Sequence, residues 1–301
     1  MKRYYILILV TISLILLIKL VLPEPLYNKE SVNSFWSNKT HTTNKFDIIA
    51  CGDSRIYRSI SSDILKEIDS NLSFINLGYS GAGLNEKYLD FVNSKFLLKS
   101  KYKTLVVGIS PHSITAEAKK NEALNSFLEF GDFEKFRYRY LSPILKHFAP
   151  YKPIEIIKNK RKDYIQYFNN DGWVASDKIS PDSTYGLKSY RKTFSNYKVT
   201  QEDMVSTVNK LKEIASTGVN IIAFRIPTTE QMEKLEDSIS GFDEAFIKKE
   251  LIEYSITYLD FKNSDFVSYD GSHLNESSAR KLTNLIGKKI KELYLTKPKL
   301  H

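Results

Sequence analysis

The sequence predicts a three-layer α/β/α sandwich built on a parallel sheet of about five strands, and three observations predict it. Short apolar runs ending at a glycine or a polar turn recur from residue 46 to residue 261. Segments with the spacing of amphipathic helices separate several of them. The runs are apolar throughout rather than alternating, as strands covered on both faces are.

In chain order, Met1-Lys2-Arg3 precedes residues 4–22, an apolar run broken only by Thr11, Ser13 and Lys19. At ~1.5 Å of rise per residue the run is about long enough to cross a bilayer as one helix. Lys19 lies near its outer end, where a lysine can snorkel to the headgroups, and Lys2 and Arg3 favour a cytoplasmic N-terminus. Residues 1–22 therefore read as a single-pass signal anchor, with the rest of the chain extracytoplasmic, in a periplasm or at the cell surface. A cleaved secretory signal is the alternative, for which Val21-Leu22-Pro23-Glu24-Pro25 is a poor cleavage site. Either reading exports the domain, which disfavours nucleic acid as a partner. Residues 23–44 are polar and read as a linker.

The domain proper, residues 45–301, opens with the strand run FDIIAC at 46–51. A helix is expected from Ser61 or Ser62, with Ile64, Leu65 and Ile68 on its apolar face. Further strands are expected at 73–77 (SFINL), 104–109 (TLVVGI), 219–226 (VNIIAFRI) and 256–261 (ITYLDF). Helices are expected at 84–98, 201–217 and 275–293, the last with Ala279, Leu282, Leu285, Ile286 and Ile290 on one side. Residues 113–200 break this rhythm. They are rich in Tyr, Phe and Lys, too long for an ordinary loop, and read as an inserted cap.

The formal net charge is +9, and residues 131–200 hold 14 Lys/Arg against 7 Asp/Glu. That stretch is either a solvated basic face or a surface drawn to anionic headgroups or an acidic polymer. The single cysteine, Cys51, rules out an internal disulfide framework and reads as a buried strand end.

The candidate chemistry sits in loops after strands, where open parallel sheets place their sites. Gly52-Asp53-Ser54 follows the first strand and puts the Ser54 hydroxyl at the sheet's carboxyl edge. A serine hydroxyl needs a base to take its proton and a third group to hold that base. Asp270-Gly271-Ser272-His273 follows the fifth strand, and its spacing lets Asp270 and His273 project from one turn towards that edge. The pattern points to Ser54 as nucleophile, His273 as base and Asp270 as its orienting carboxylate. A carbohydrate hydrolase using Asp53 and Asp270 as paired carboxylates is a rival that needs both in an open cleft.

These blocks resemble those of the SGNH/GDSL hydrolases, a family with a flavodoxin-like sandwich fold. The matching residues are Gly52-Asp53-Ser54, Asn76-Leu77-Gly78-Tyr79-Ser80-Gly81 and Asp270-x-x-His273, in order along residues 46–293. The resemblance implies an oxyanion hole formed by the backbone N–H groups of Ser54 and Gly81, with Gly78 the other register for the glycine. The family's third block, Gly-x-Asn-Asp, is replaced by Gly108-Ile109-Ser110-Pro111-His112. The expected asparagine donor is therefore missing, and Ser110 or His112 is expected in its place. Narrower still is a resemblance to the membrane-anchored accessory proteins of alginate O-acetylation and teichoic-acid D-alanylation. It implies acyl-ester hydrolysis or O-acyl transfer on an acylated surface polysaccharide, beside a polytopic membrane O-acyltransferase. A non-catalytic scaffold binding the polysaccharide or that transferase is the alternative.

Other candidate substrate contacts are Arg55, next to the nucleophile, and Arg225, at the end of the fourth strand. Arg55 reads also as a structural ion pair with Asp53, and Arg225 as a residue that only bridges loops. Trp173 and Tyr185 could stack on sugar rings or form a small cap core. No cofactor or metal is expected: no His/Cys cluster has ligand spacing, and the glycine-rich loop lacks both a P-loop lysine and the dinucleotide fingerprint.

Overall fold

The computed structural model describes residues 2–21, 29–145, 164–262 and 265–296. They fall into two units, one grouping Met1–Thr42 with Ser126–Asp163 and the other Thr43–Asn125 with Tyr164–His301.

Among the described residues the second unit carries seven strands: β1 (Ile48–Cys51), β2 (Phe74–Asn76), β3 (Thr104–Ile109), β4 (Tyr164–Phe168), β5 (Val174–Lys178), β6 (Asn220–Arg225) and β7 (Thr257–Leu259). Five pair in the order β2-β1-β3-β6-β7, all parallel, as the apolar runs predict. The order reverses between β1 and β3, so their carboxyl ends open a crevice at a topological switch point. Register carries the geometry across the sheet: Cys51 lies opposite Val107, and Ile109 opposite Arg225. Ile48, Ala50, Val106, Ile222 and Phe224 join one buried cluster with Ile56, Ile60 and the C-terminal helix. Their neighbours Ile49, Leu105, Val107 and Ile221 are buried as well, so both faces of the sheet are covered.

Helices Gln201–Ser216 and Glu276–Thr296 stand where the periodicity puts them, the first begun by a Thr200/Asp203 capping box. Leu285 of the second faces solvent, while Ala279, Leu282, Ile286 and Ile290 are buried. The expected helix at 84–98 is restricted to Glu86–Asn93, started by the Asn85 side chain. The region after Gly52 differs most. A helix begins at Ser54 itself and runs to Ser59, and the stretch from Ser61 contributes only the single turn Ile64–Glu67.

Residues 113–200 do not form one body. Ser126–Asp163 groups with the N-terminal unit, whereas β4 and β5 make an antiparallel hairpin within the second unit. Gly172, at φ +84°, and Asp171, whose Oδ1 accepts the Trp173 N–H, shape its turn. Trp173 is buried in the main core, and its indole N–H donates to the Arg58 carbonyl at 2.9 Å, so it is no sugar platform. Tyr185 is exposed, with the Lys178 ammonium 4.2 Å from its ring centroid.

In the first unit, Lys2–Val21 is a helix whose apolar side chains from Tyr4 to Ile18 stand exposed, apart from the half-buried Ile15. Among the described residues no helix is long and apolar enough to cross a membrane. Of the expected linker, residues 23–28 lie outside the described residues, and Lys29–Thr40 is a helix rather than extended chain. The Ser34 hydroxyl donates to the Tyr138 carbonyl at 2.8 Å, and Arg139 donates to the His41 carbonyl at 3.0 Å. Between residues 132 and 145 the helical turns expose Phe133, Phe136, Tyr140 and Ile144 at the spacing of one face.

Candidate active site

The site begins where β1 ends. Gly52 sits at φ +146°, and a Cβ there would meet the Gly108 carbonyl at 2.8 Å and the Ile56 side chain at 2.7 Å. Only glycine lets the chain turn so close to β3. Asp53 then caps the new helix: its Oδ1 accepts the Arg55 N–H at 2.9 Å, and its Oδ2 accepts the Ser110 hydroxyl at 2.6 Å. Ser54 is thus presented in the first turn of a helix anchored to the ends of two strands.

Asn76, at the end of β2, clamps that helix from beneath. Fully buried, it donates to the carbonyls of Ile56 at 2.9 Å and Ile60 at 2.7 Å, while its Oδ1 accepts the Gly78 N–H at 2.9 Å. The buried Tyr88 hydroxyl donates to the Leu77 carbonyl at 2.8 Å and lies 3.2 Å from the Gly52 nitrogen, tying the β1 and β2 ends together. Sequence reasoning gave Tyr88 no role and quoted Asn76 only as the first residue of a matched block, without a role.

The turn at 270–273 supplies the partners. Gly271, at φ +88°, allows the chain to pass the Ser183 carbonyl, which a Cβ would meet at 2.1 Å. Asp270 Oδ1 accepts the backbone N–H groups of Ser272 at 2.9 Å and His273 at 2.8 Å, and its Oδ2 lies 2.8 Å from His273 Nδ1. Because a carboxylate only accepts, the Nδ1 proton faces Asp270 and the neutral Nε2 is an acceptor. Ser54 Oγ lies 2.8 Å from that Nε2 and donates to it. The three residues singled out in the sequence are therefore joined in the order Ser54, His273, Asp270.

Their surroundings set the charges. Burial, and next to it the charge of Arg58, hold the His273 imidazole below its ordinary range against the pull of Asp270. Burial pushes Asp270 up, but the bond and charge of His273 and the two backbone N–H groups outweigh it and hold the carboxyl at about 2. At neutral pH the imidazole is uncharged and the carboxylate ionised, the state a general base requires. The Tyr269 ring stacks on His273, with centroids 6.0 Å apart and planes at 16°.

The remaining candidates divide. Arg55 is fully buried and pairs with Glu236, so it is withdrawn from any substrate, and its side chain does not pair with Asp53. Its Nε donates to Ser272 Oγ at 3.0 Å, and its guanidinium lies 5.0 Å from the Tyr190 ring centroid. Arg225 reaches a cleft of about 270 Å³ with Thr228 and Lys262, but Glu233, Glu236, Asp237 and Glu244 surround it within 4 Å and match its charge. Ser110 is buried, donating to Asp53 and accepting the Ser113 N–H, so its hydroxyl is committed to structure. Asp53 is likewise sealed at 1% exposure, which removes the paired-carboxylate rival. Cys51 is buried, and burial pushes its thiol well above the range of a nucleophile.

Gly81 and His112 line a second cleft, of about 680 Å³, with Asn121 and Tyr197. Gly81 takes φ +65°, and the Asn121 amide nitrogen lies 3.2 Å from where its Cβ would be, while donating to the Ser80 carbonyl at 2.9 Å. Among the described residues nothing accepts a hydrogen bond from the Ser54 or Gly81 backbone N–H, whereas the Gly78 N–H is taken by Asn76. Of the two registers for the glycine donor, Gly81 is the one left open. Asn121 is an amide that the sequence spacing gave no reason to place here. Among the described residues no His/Cys/Asp/Glu group could hold a metal.

No protein-family model matches the chain, and no curated protein matches it. Among solved structures it is similar to a chain from Streptococcus pneumonia named, provisionally, a platelet activating factor, at 10% identity and a TM-score of 0.38. That likeness covers 90% of this chain and 94% of the other, and is too distant to bear on function.

Proposed function

We propose that this protein is a serine-dependent acyl-ester hydrolase or O-acyltransferase acting on an acylated polysaccharide of the cell surface. The observation that carries the reading is the continuous hydrogen-bonded line from Ser54 Oγ through His273 to Asp270, 2.8 Å at each step. Ser54 Oγ attacks the acyl carbonyl while His273 Nε2 takes its proton, and the N–H groups of Ser54 and Gly81 receive the oxyanion. The tetrahedral adduct collapses, the alkoxide leaves with the proton held by His273, and an acyl-Ser54 ester remains. Water or a sugar hydroxyl then attacks that ester, passing its proton to His273, and Ser54 is regenerated.

The SGNH-like order of the three blocks and the β2-β1-β3-β6-β7 parallel sheet support this assignment. A scaffold without chemistry would not need His273 within 2.8 Å of Ser54 or a carboxylate fixing its tautomer. Attachment to the membrane beside a polytopic O-acyltransferase is supported by the exposed apolar side chains between Tyr4 and Ile18 of the N-terminal helix. The exposed face of Phe133, Phe136, Tyr140 and Ile144, flanked by Lys135, Arg137 and Arg139, supports it further.

The test is labelling of the full-length protein with a fluorophosphonate. Wild type is expected to label and Ser54→Ala to remain unlabelled at the same loading; wild type that stays unlabelled sinks the assignment. Release of acetate from an acetylated oligosaccharide, against its transfer to a second oligosaccharide, then separates hydrolysis from transfer.

A further inference from the structure

The cleft beside Gly81, at about 680 Å³, falls within the roughly 300–1,000 Å³ of small-ligand sites, and it meets the chemistry at two points. Gly81, whose N–H makes no hydrogen bond among the described residues, forms one wall. His112 forms another. Its ring lies edge-on to that of Tyr190, with centroids 6.4 Å apart, and the Tyr190 hydroxyl accepts a hydrogen bond from Ser272, the residue before His273.

The polar groups lining the cleft are uncommitted. Tyr197 is 44% exposed, and its hydroxyl has no partner among the described residues. The ring nitrogens of His112, the carboxylates of Glu117 and Glu122 and the Lys120 ammonium likewise make no hydrogen bond or ion pair there. Beyond the Tyr197 ring the apolar lining is limited to the methyls of Ala116 and Ala118, so a lipid tail or a long acyl chain finds no wall to bury against. Free donors and acceptors around one exposed ring match instead the hydroxyls and the C–H face of a sugar. Two carboxylates against one ammonium leave the cleft negative, although the chain as a whole carries +9, and like charge repels an acidic sugar.

We infer that the cleft between Gly81 and Tyr197 is a saccharide subsite for an uncharged sugar, with the Tyr197 ring as its platform and His112 and Glu117 as its hydrogen-bonding partners. Placing the sugar's ester beside Gly81 rests on the assignment of Ser54 as nucleophile. The inference narrows the substrate from any acylated polysaccharide to one whose unit in this cleft bears no acid group.

The test is calorimetric titration of the full-length Ser54→Ala protein, which binds without turnover, with two matched pairs of trisaccharides. One pair is cellotriose against its C6-oxidised triuronate, the other methyl-esterified against free trigalacturonate. In at least one pair the uncharged member is expected to bind about 5-fold or more tighter than the acid at low salt, the gap closing as salt is added. Replacing Glu117 and Glu122 together by Gln should bring that gap below about 2-fold. Tyr197→Ala should weaken the uncharged trimer about 5-fold or more, while Tyr197→Phe retains its binding. Absence of binding by both uncharged trimers overturns the inference. So does an acid that binds as tightly as its uncharged counterpart, or undiminished binding in a folded Tyr197→Ala protein. Should Tyr197→Ala fail to fold, the exposed Glu117 and Glu122 substitutions decide the matter. Fluorophosphonate labelling of the wild type keeps the two ideas apart: no label with the trimer bound sinks the chemistry and not the cleft, and label without trimer binding sinks the cleft alone.

Discussion

Arg55 and Ser272 are 217 positions apart in the chain, yet Arg55 Nε donates to Ser272 Oγ at 3.0 Å. The residue after the nucleophile thus holds the residue before the base. Ser272 Oγ in turn donates to the Tyr190 hydroxyl at 2.8 Å, and Arg55 is anchored from behind by the fully buried Glu236. The tie fixes the turn that carries Asp270 and His273 to the helix that carries Ser54.

Replacing Arg55 by Met should therefore cost both stability and activity. Breaking a buried pair from one side typically costs about 3–5 kcal/mol, though Arg225 at 3.0 Å still compensates Glu236 and favours the lower end. For a chain of this size that corresponds to a fall in melting temperature of roughly 6–12 °C. The rate of Ser54 labelling should fall as well, and an unchanged rate together with an unchanged melting temperature would show that the tie is idle.

The pH dependence follows from the same turn. His273 must be neutral to accept the Ser54 proton, and its folded value lies below the ordinary 6.5. Labelling should rise with pH to a midpoint below 6.5 and stay flat above it, with Asp270, held at about 2, ionised throughout. Burial, Asp270, Arg58 and Arg55 are the influences on the imidazole, and Arg58→Gln should move the midpoint upward. For stability, both folded values lie below the unfolded ones, so the unfolded chain binds protons more readily. Stability should decline as pH falls below 6.5 through His273, and again below 3.8 through Asp270. A labelling midpoint above 6.5 in the wild type contradicts this account.

Much of this was legible in the sequence because it depends on local pattern. Runs such as Ile48-Ile49 and Val106-Val107 read as buried strands because both sheet faces are covered, and the spacing of Asp270 and His273 put them on one turn. The helix from Ser54 to Ser59 escaped notice because it is short, with Ile56 its only aliphatic residue after a polar start. The β4–β5 hairpin was hidden because the β4 side chains are half-exposed or exposed, leaving no buried alternation to detect. Whether Arg55 and Arg225 contact substrate or form ion pairs was open in the sequence, because their carboxylate partners, Glu236 and Glu244, come from helices that only the fold brings to the strand ends. Asn76 and Asn121 act through folded contacts that no spacing rule anticipates.

Asn76 carries a sharp stability prediction. Its amide satisfies the carbonyls of Ile56 and Ile60 and the Gly78 N–H, all buried; truncation strands the Ile60 carbonyl and the Gly78 N–H, while the Ile56 carbonyl keeps the Ile60 N–H. Each stranded group costs ~1–3 kcal/mol. Asn76→Ala should be destabilised by about 3 kcal/mol or more in denaturant unfolding. Asn76→Asp, which keeps the acceptor for Gly78 and loses both donors, should recover little of it. Recovery close to wild type in Asn76→Asp would show that the two donor bonds to Ile56 and Ile60 contribute little.

The last prediction concerns the donor that the third block lacks. Ser110, one expected replacement, is locked to Asp53 and Ser113, while His112, Lys120 and Asn121 bring side-chain N–H groups to the cleft beside Gly81. Asn121 is the better placed, since its amide nitrogen stands 3.2 Å from the Cβ position of Gly81 and has a second proton beyond the one given to Ser80. An oxyanion donor lowers the barrier without changing ground-state affinity, so Asn121→Ala should lower kcat on an aryl acetate by about 10-fold or more with little change in KM. His112→Ala should change kcat by less than about 3-fold if Asn121 is the donor. The reverse ranking would move the role to His112 at the end of the same cleft, and equal small effects from both would mean that the Ser54 and Gly81 N–H groups suffice.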